Sequence, residues 1–584
     1  QQASLRANSH NLHPSSAIIR VHPWTISSRA IYSPYLCGSK RPTGNTYFCP
    51  MPAAISLEKQ TIPYAETGFF GGSIIDYLSD DPKLKPFYHR RPTLENFADQ
   101  IAEKEKSYQH RNSLVEAIRK QYEKAKLPSD NIEPLKRSNS FTVTTGHQVC
   151  LFTGPLYFFY KIISVINTTR RLAEAYPNYE FVPVFWMATE DHDFEEANHF
   201  FLPDGKIEWE SGQGGAVGRM ELVGMDEVID DLTDKIGLGY RSGEILELFK
   251  QSYQNHDTVA NATRCLVHRL FGKYGLVCID GDDADLKHLV VPQFKKELLE
   301  KPSHEAMVKT NKKLGEDYKL QVAPREINLF YLDDQLRERI VQTPEGSYEV
   351  LNTELRFSEE EIFAELESHP ERFSPNVAMR PIYQEAILPN LGYIGGGGEL
   401  NYWFQLKGVF EIFELPMPIV MLRNSVMIIE RSVNETMVKL GLDLNQLFAN
   451  SGIDLEKKLV SEESAEELNL AEELDSLQKV FLSAEEKLRR VDKLLEKSAR
   501  SGFVRSERIV KNLEKKMLRA ERKKHDILIG RLHKVRDALF PREGLQERNL
   551  NFIPFYEEFG DQFIDILLEN LDPFENQFTV LRAR

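Results

Sequence analysis

Apolar residues early in the chain recur at three- and four-residue steps: Leu94, Phe97 and Ile101, then Leu114, Ile118 and Tyr122. That spacing predicts helices across 92–126. The pattern then changes. Phe141-Thr-Val-Thr-Thr145 is rich in β-branched residues and predicts a strand, with Gly146-His147-Gln148 as the turn after it. A helix follows over 156–175. Phe181-Val-Pro-Val-Phe-Trp-Met187 is apolar almost throughout, as a strand covered on both faces is. Strand, helix and strand in such quick succession form a βαβ unit, which belongs to a parallel sheet.

The same rhythm returns twice. Gly275-Leu-Val-Cys-Ile-Asp280 is a buried-type strand, followed by a helix with Leu286, Val290 and Phe294. Tyr393-Ile394 leads into Gly395 to Gly398, then a helix over 399–413 and a strand at Met417-Pro-Ile-Val-Met-Leu422. Between these units, 199–240 predicts a small β-rich insertion and 318–357 a set of short strands. The expected class is α/β with a doubly wound parallel sheet. The core takes 51–198, 256–302 and 375–454, interrupted by connecting segments at 199–255 and 303–374. A tail at 541–584 is expected to pack back on the core.

The stretch 455–540 has a different period. Leu470, Leu474, Leu477, Phe481, Ala484, Leu488, Val491 and Leu495 alternate four and three apart, the seam of a coiled coil. Ser498 to Gly502 reads as a break, and Leu513, Met517 and Ala520 as the seam of a second arm. The predicted unit is an antiparallel hairpin. Acidic residues Glu462, Glu463, Glu466, Glu467, Glu472 and Glu473 lie on the first arm. Basic residues from Lys511 to Lys524 lie on the second. A fold at 498–502 sets the basic block beside 479–492, so a partner chain is needed to bring the blocks together. Homodimerisation through 455–540 is the expectation; two solvated faces are the alternative.

Composition narrows the classes. The chain has 584 residues, 41% of them hydrophobic and 28% charged, so it supports a sizeable core, and global disorder is excluded. A net charge of -15 argues against binding nucleic acid through its backbone. Five Cys without a CxxC pair argue against a zinc ribbon and suit a reducing, cytoplasmic setting. No apolar run of membrane-spanning length occurs, so no membrane partner is expected. Residues 1–50, including Cys37 and Cys49, are Ser-, Pro- and Arg-rich without periodicity. They read as a non-native or disordered leader ahead of a start at Met51; a transit peptide is the alternative.

Candidate chemistry sits where predicted strands end. Thr145, Gly146, His147 and Gln148 end the first, at the edge where open parallel sheets bind ligands. Glu190-Asp191-His192-Asp193 end the second and offer carboxylates for an amine, His192 as a proton acceptor, or metal ligands. Capping of a following helix is the bland alternative for these acids. Gly395 to Gly398 with Glu399 can wrap a phosphate, or be a flexible loop. Lys161 can reach the same phosphate, although taken alone it reads better as a solvated lysine. Asn376, Arg380, Gln384, Tyr402 and Arg423 complete a polar set for substrate.

Taken together, Thr144-Thr-Gly-His-Gln148 with Gly154-Pro-Leu156, Glu190-Asp-His-Asp193, Ser374-Pro-Asn-Val377 with Arg380-Pro381, and Tyr393-Ile-Gly-Gly-Gly-Gly-Glu-Leu400 resemble the cysteine-adding enzyme family of bacillithiol biosynthesis. The likeness runs from about Ile62 to the C-terminus. It implies a Rossmann-like core related to class I nucleotidyltransferases, two connecting segments and a dimerising coiled coil. It also implies a ligase that joins cysteine to glucosaminyl malate. The expected cofactor is ATP or another adenine nucleotide, activating the cysteine carboxylate as an adenylate, with the metal requirement open. His147 and the Gly395–Gly398 loop would hold the nucleotide, with His147 steadying phosphoryl oxygens. Asp191 or Asp193 would bind the cysteine ammonium or orient the attacking amine, and His192 would take its proton. A metal-dependent hydrolase built on His147, Asp191 and His192, and a non-catalytic coiled-coil adaptor, are the competing readings.

Overall fold

Five parallel strands carry the site. In the computed structural model, which describes residues 57–237, 239–463 and 469–583, they are β1 (Ser140–Gln148), β2 (Glu180–Ala188), β3 (Val277–Asp280), β4 (Asn390–Gly395) and β5 (Ile419–Leu422). Their spatial order is β5-β4-β1-β2-β3, and every neighbouring pair is parallel. The chain winds outward from β1 through β2 and β3, then returns to place β4 and β5 on the other side. The order therefore reverses between β1 and β4, the topological switch point of a Rossmann-like sheet. Expectations for 1–50 and for Glu466 and Glu467 fall outside the described residues.

β1 and β2 are nearly continuous buried runs because both faces are covered. β1 does not stop at Thr145. It extends through Gly146 and His147 to Gln148, so the expected turn is the strand's own carboxyl end. The helix α1 (Tyr157–Ala175) then packs between the sheet and the C-terminal helices. That burial on several sides explains its polar interior: Asn167 Nδ2 donates to the carbonyls of Leu568 and Leu571 at 3.0 and 2.6 Å.

The link from β1 to α1 is strained. Phe152, Thr153 and Gly154 all have positive φ, at 47, 70 and 64°. A Cβ on Gly154 would stand 2.8 Å from that of Cys150, so only glycine fits. Two remote groups hold the loop. Tyr253 Oη accepts the Phe152 N–H at 2.9 Å, and Asn551 Nδ2 donates to the carbonyls of Phe152 and Gly154 at 3.0 and 2.6 Å.

The first connecting segment differs from expectation. It holds one hairpin, His199–Leu202 with Gly205–Glu208, and then two helices, Met225–Ile236 and Ser242–Tyr253. Val228, Ile229 and Leu232, then Ile245 and Phe249, bury their helical stripes against a common core. The second segment forms a five-stranded antiparallel sheet containing Leu329–Asp333 and Leu336–Gln342. The helix expected over 399–413 is two, α2 (Gly397–Trp403) and α3 (Lys407–Ile412).

The coiled-coil hairpin is formed by α4 (Ala471–Val491) and α5 (Glu496–Arg522). The break lies at Asp492, whose side chain accepts the Leu494 N–H at 2.8 Å, and not at 498–502. Gly502 is inside α5, where a Cβ would come 2.7 Å from the Phe481 ring. Leu513 is consequently 48% exposed and does not sit in the seam. Phe481–Phe503, Glu485–Arg500 and Glu456–Arg522 contacts set the register. They set Arg522 against Glu456 and the basic run away from 479–492, toward the described part of the first arm. Among the described residues no helix is long and apolar enough to cross a membrane.

The C-terminal part is tied to the core in two ways. Gln577–Ala583 pairs with Leu57–Pro63 and with Val426–Ile429 in one sheet. Arg423 and Glu547, 3% and 1% exposed at the side chain, form an ion pair of 2.7 Å. Removing one partner of such a buried pair strands the other charge. Glu547→Ala is expected to cost about 3 kcal/mol of folding stability in urea titration; a loss under about 1 kcal/mol would contradict this role.

Candidate active site

The carboxyl ends of β1, β2, β4 and β5 open on one cavity of about 900 Å³. Gly146, His147, Gln148, Lys161, Glu190 and Asp191 line it from the β1–β2 side. Gly396 to Gly398, Glu399, Tyr402, Asn376, Arg380 and Arg423 line it from the other elements. Thr145, His192, Asp193, Gly395 and Gln384 are absent from its wall.

A buried ammonium organises the switch point. Lys161, four residues into α1, donates to the Gly146 carbonyl and reaches Glu399 Oε2, both at 2.6 Å. Glu399 also accepts the Gly396 N–H at 2.8 Å and the Tyr393 hydroxyl at 2.7 Å. Burial pushes the Glu399 carboxyl up, but Lys161 and these donors outweigh it and hold it below the usual carboxylate range. Burial pulls the Lys161 ammonium down, opposed by Glu399. Gly146 is needed here for space: a Cβ would lie 3.2 Å from the Tyr393 hydroxyl.

His147 is pushed down to about 4, first by burial and then by the nearby Lys161 charge. The ring is neutral at pH 7. Its Nδ1 lies 2.8 Å from the Gln148 carbonyl, which can only accept, so Nδ1 carries the proton. Nε2 is left as an acceptor, 3.2 Å from the Tyr157 hydroxyl. The expected role as a donor to phosphoryl oxygens does not match this ring, whose single N–H is already spent.

The β2 end is acidic. Gln148 Nε2 donates to Asp191 Oδ2 and to Glu196 Oε2, each at 2.9 Å. Glu190 is anchored by Lys287 at 2.7 Å; Lys287, fully buried, also meets Asp282 at 3.3 Å and the Glu371 carbonyl at 3.0 Å. The other two acids-and-base candidates leave the cavity. Asp193 caps the turn Phe194–Ala197, accepting the Glu196 N–H, which is the capping alternative. His192 Nδ1 accepts from Arg337 Nη1 at 2.8 Å, so a neutral ring has no lone pair left to take a proton.

The opposite end is basic. Arg380 stacks near Trp186 and Tyr393, and Gln384 holds its Nη1 at 2.9 Å from inside the core. Arg423 spends Nη1 on Asn424 and Ser425 and Nη2 on Glu547. Arg380 Nη2 and Arg423 Nε are buried without a hydrogen-bond partner among the described residues. Asn376 spends its amide oxygen on the N–H groups of Ala378 and Met379. Thr145 Oγ1 is tied to the Ile394 carbonyl, and the Gly395 carbonyl to the Arg423 N–H.

Several wall residues escape the sequence reading, among them Tyr157, Glu196, Arg325, Arg337 and Arg548. Tyr157 and Glu196 lie a few residues beyond motifs that were recognised. Arg337 comes from the inserted sheet and Arg548 from the C-terminal tail, with no local signal.

Nucleotide-scale volume, unspent guanidinium N–H groups and the open side of Gly398, where a Cβ would touch nothing, fit an anionic phosphate chain. Among the described residues no three or more His, Cys, Asp or Glu side chains are arranged to hold a metal ion. His147 and Asp191 share the cavity wall, but His192 is absent from it and meets Arg337, so the three do not face one cavity as the hydrolase alternative requires.

A family model described as "Bacillithiol biosynthesis BshC, N-terminal Rossmann-like domain" matches residues 57–424, and the C-terminal coiled-coil domain of the same family matches 426–583. A relative from Flavobacterium johnsoniae is 43% identical over 525 residues, covering 89% of this chain and 99% of its own. One from Christiangramia forsetii is 42% identical over 530 residues, covering 89% and 98%. Both carry the BshC name and a provisional cysteine-ligase title.

The neutral His147 gives a pH signature. Its depressed value means that the folded state binds fewer protons than the unfolded state between about pH 4 and 6.5. Its contribution to stability is therefore full above pH 6.5 and is lost as pH falls through 4. The stability gap between wild type and His147→Asn should shrink by up to about 3 kcal/mol from pH 7 to pH 4 in urea titrations. A gap that stays constant would contradict the assigned ring state.

Proposed function

The chain belongs to the BshC family of bacillithiol biosynthesis, and on that premise we propose that it is a ligase adding cysteine to glucosaminyl malate through a new amide bond. The observation that carries this reading is the division of one cavity into a basic end and an acidic end. Joining a carboxylate to an amine needs both. The cation-rich end at Lys161, Arg380 and Arg423 suits the phosphate chain of an adenine nucleotide and the carboxylate to be activated. The acidic end at Glu190, Asp191 and Glu196 suits an ammonium or amine.

When bound, the nucleotide would supply the phosphoanhydride bond whose cleavage makes amide formation favourable. The protein's own groups do the rest. Arg380 and Arg423 offer their unspent N–H groups to anionic oxygens. Asp191, steered by Gln148, orients the amine and accepts its proton as the carbon–nitrogen bond forms and the carbonyl carbon's bond to its phosphoryl leaving group breaks. Lys287 keeps Glu190 in place beside it. The walls around Trp186 and Tyr393 exclude water from the reacting carboxylate.

We further assign the protein to the cytoplasm, where Cys150, Cys265 and Cys278 stay free thiols as they are here. We also propose a homodimer through 455–540. The support is exposed apolar surface on the hairpin: Val480, Leu482, Val491, Val504 and Ile509 are each more than half exposed.

Purified protein with cysteine, ATP and glucosaminyl malate should form bacillithiol, and cells lacking it should lose that thiol. Asp191→Asn should lower kcat/KM by about 100-fold or more. Full activity in both Asp191→Asn and His147→Ala would overturn the assignment of this cavity. Light scattering should give twice the chain mass, and one chain mass after Val480→Glu and Ile509→Glu together or deletion of 455–540. A dimer that survives both changes would end the dimer proposal.

A further inference from the structure

We propose that the Glu399 carboxylate is a built-in placeholder for an external oxyanion, occupying a donor cluster that takes a phosphate chain or a substrate carboxylate when Glu399 withdraws. This rests on the reading of the cavity as a site for anionic ligands.

The donor set around Glu399 is the kind that binds oxyanions. An ammonium (Lys161 Nζ, 2.6 Å) and a backbone N–H (Gly396, 2.8 Å) meet one oxygen, and a hydroxyl (Tyr393, 2.7 Å) meets the other. Two guanidinium groups adjoin it. A Cβ built on Gly396 would lie 3.5 Å from Glu399 Oε2 and 3.7 Å from Arg423 Nε. One built on Gly146 would lie 3.2 Å from the Tyr393 hydroxyl and 3.7 Å from Arg380 Nη1. Glycines on both sides thus leave space beside the carboxylate.

The cluster is also unfinished. Arg423 is 3% exposed, yet its Nε has no partner, and neither has Arg380 Nη2. Buried donors left unspent are costly, so such a pair at a cavity wall points to an absent acceptor. Charge agrees. Arg423 is paired with Glu547 and Lys161 with Glu399, and among the described residues Arg380 forms no ion pair of its own, sharing only the nearby Glu399 charge. A cluster with surplus positive charge accepts one more anion, and accepts it more readily once its internal carboxylate is neutral.

The structural alternative is separable. Glu399 supplies the side-chain half of a capping box, its Oε2 accepting the N-cap Gly396 N–H. Glutamine serves that box as well as glutamate. Glu399→Gln therefore keeps the cap and removes only the charge.

The experiment is calorimetric titration of the full chain with pyrophosphate, and separately with malate. Glu399→Gln should bind one of the two at least about five-fold more tightly than wild type. A gain for pyrophosphate identifies the occupant as a phosphate chain; a gain for malate identifies it as a carboxylate. Tyr393→Phe, which releases Oε1 without touching a cation, should move the same Kd in the same direction, and Lys161→Met should raise it. ATP binding by wild type with both anions unchanged or weaker in Glu399→Gln and Tyr393→Phe would overturn the placeholder and leave the nucleotide reading standing. No binding of ATP or either anion by any form would overturn both.

Discussion

A charge without water must find its counterion, and Lys161 is where this fold meets that demand. The ammonium lies under the switch point, 3% exposed, and its partners come from two strands that the chain reaches more than two hundred residues apart. Gly146 ends β1; Glu399 follows β4. The pairing can exist only when β1 and β4 lie side by side in register. It therefore ties sheet order to site geometry. An error in either leaves a buried ion unpaired, a penalty of several kcal/mol.

Electrostatics along the sheet edge follow from that order. Reading across the strands, β5 contributes Arg423, β4 the Glu399 loop, β1 His147 and Gln148, and β2 the Glu190–Asp191 pair. Lys161, Arg380 and Arg423 gather on one side of β1 with Glu399 and Glu547 among them, and Glu190, Asp191 and Glu196 gather on the other with Lys287 and Arg337 beside them. His147 stands between them and is kept neutral by burial and by Lys161. A neutral ring there separates the two fields without cancelling either. The arrangement suits two reactants of opposite charge lying end to end. A single polyanion or polycation would meet repulsion at one end.

The sequence revealed the strand ends well because each is a long apolar run closing on polar residues. It revealed less where the controlling contact is distant. The four acidic and imidazole positions at 190–193 looked equivalent as a string, yet backbone direction after β2 turns only Glu190 and Asp191 to the cavity. Asp193 was claimed by a nearby N–H and His192 by Arg337 from the inserted sheet. The hairpin break shows the opposite error. Gly502 reads as a helix breaker by composition. Its actual use is close packing against Phe481, while Asp492 makes the turn by hydrogen-bonding Leu494. Moving the break by a few residues reverses which charges face each other, since every partner across an antiparallel hairpin shifts by twice that amount.

The boundary between the Rossmann-like and coiled-coil parts falls at 424–426, directly after the last residue of the basic wall. The two parts are nonetheless one machine at that point. Arg423 belongs to the first and its counterion Glu547 to the second. The strand Val426–Ile429 is completed by Gln577–Ala583, and Arg548 contributes to the cavity itself. Asn551 holds the strained Phe152–Gly154 loop that delivers α1 and hence Lys161. A C-terminal region acting only as a dimerisation arm would need none of these contacts. Its tail supplies the counterion of Arg423, the support of the Phe152–Gly154 loop and, through Arg548, part of the cavity wall.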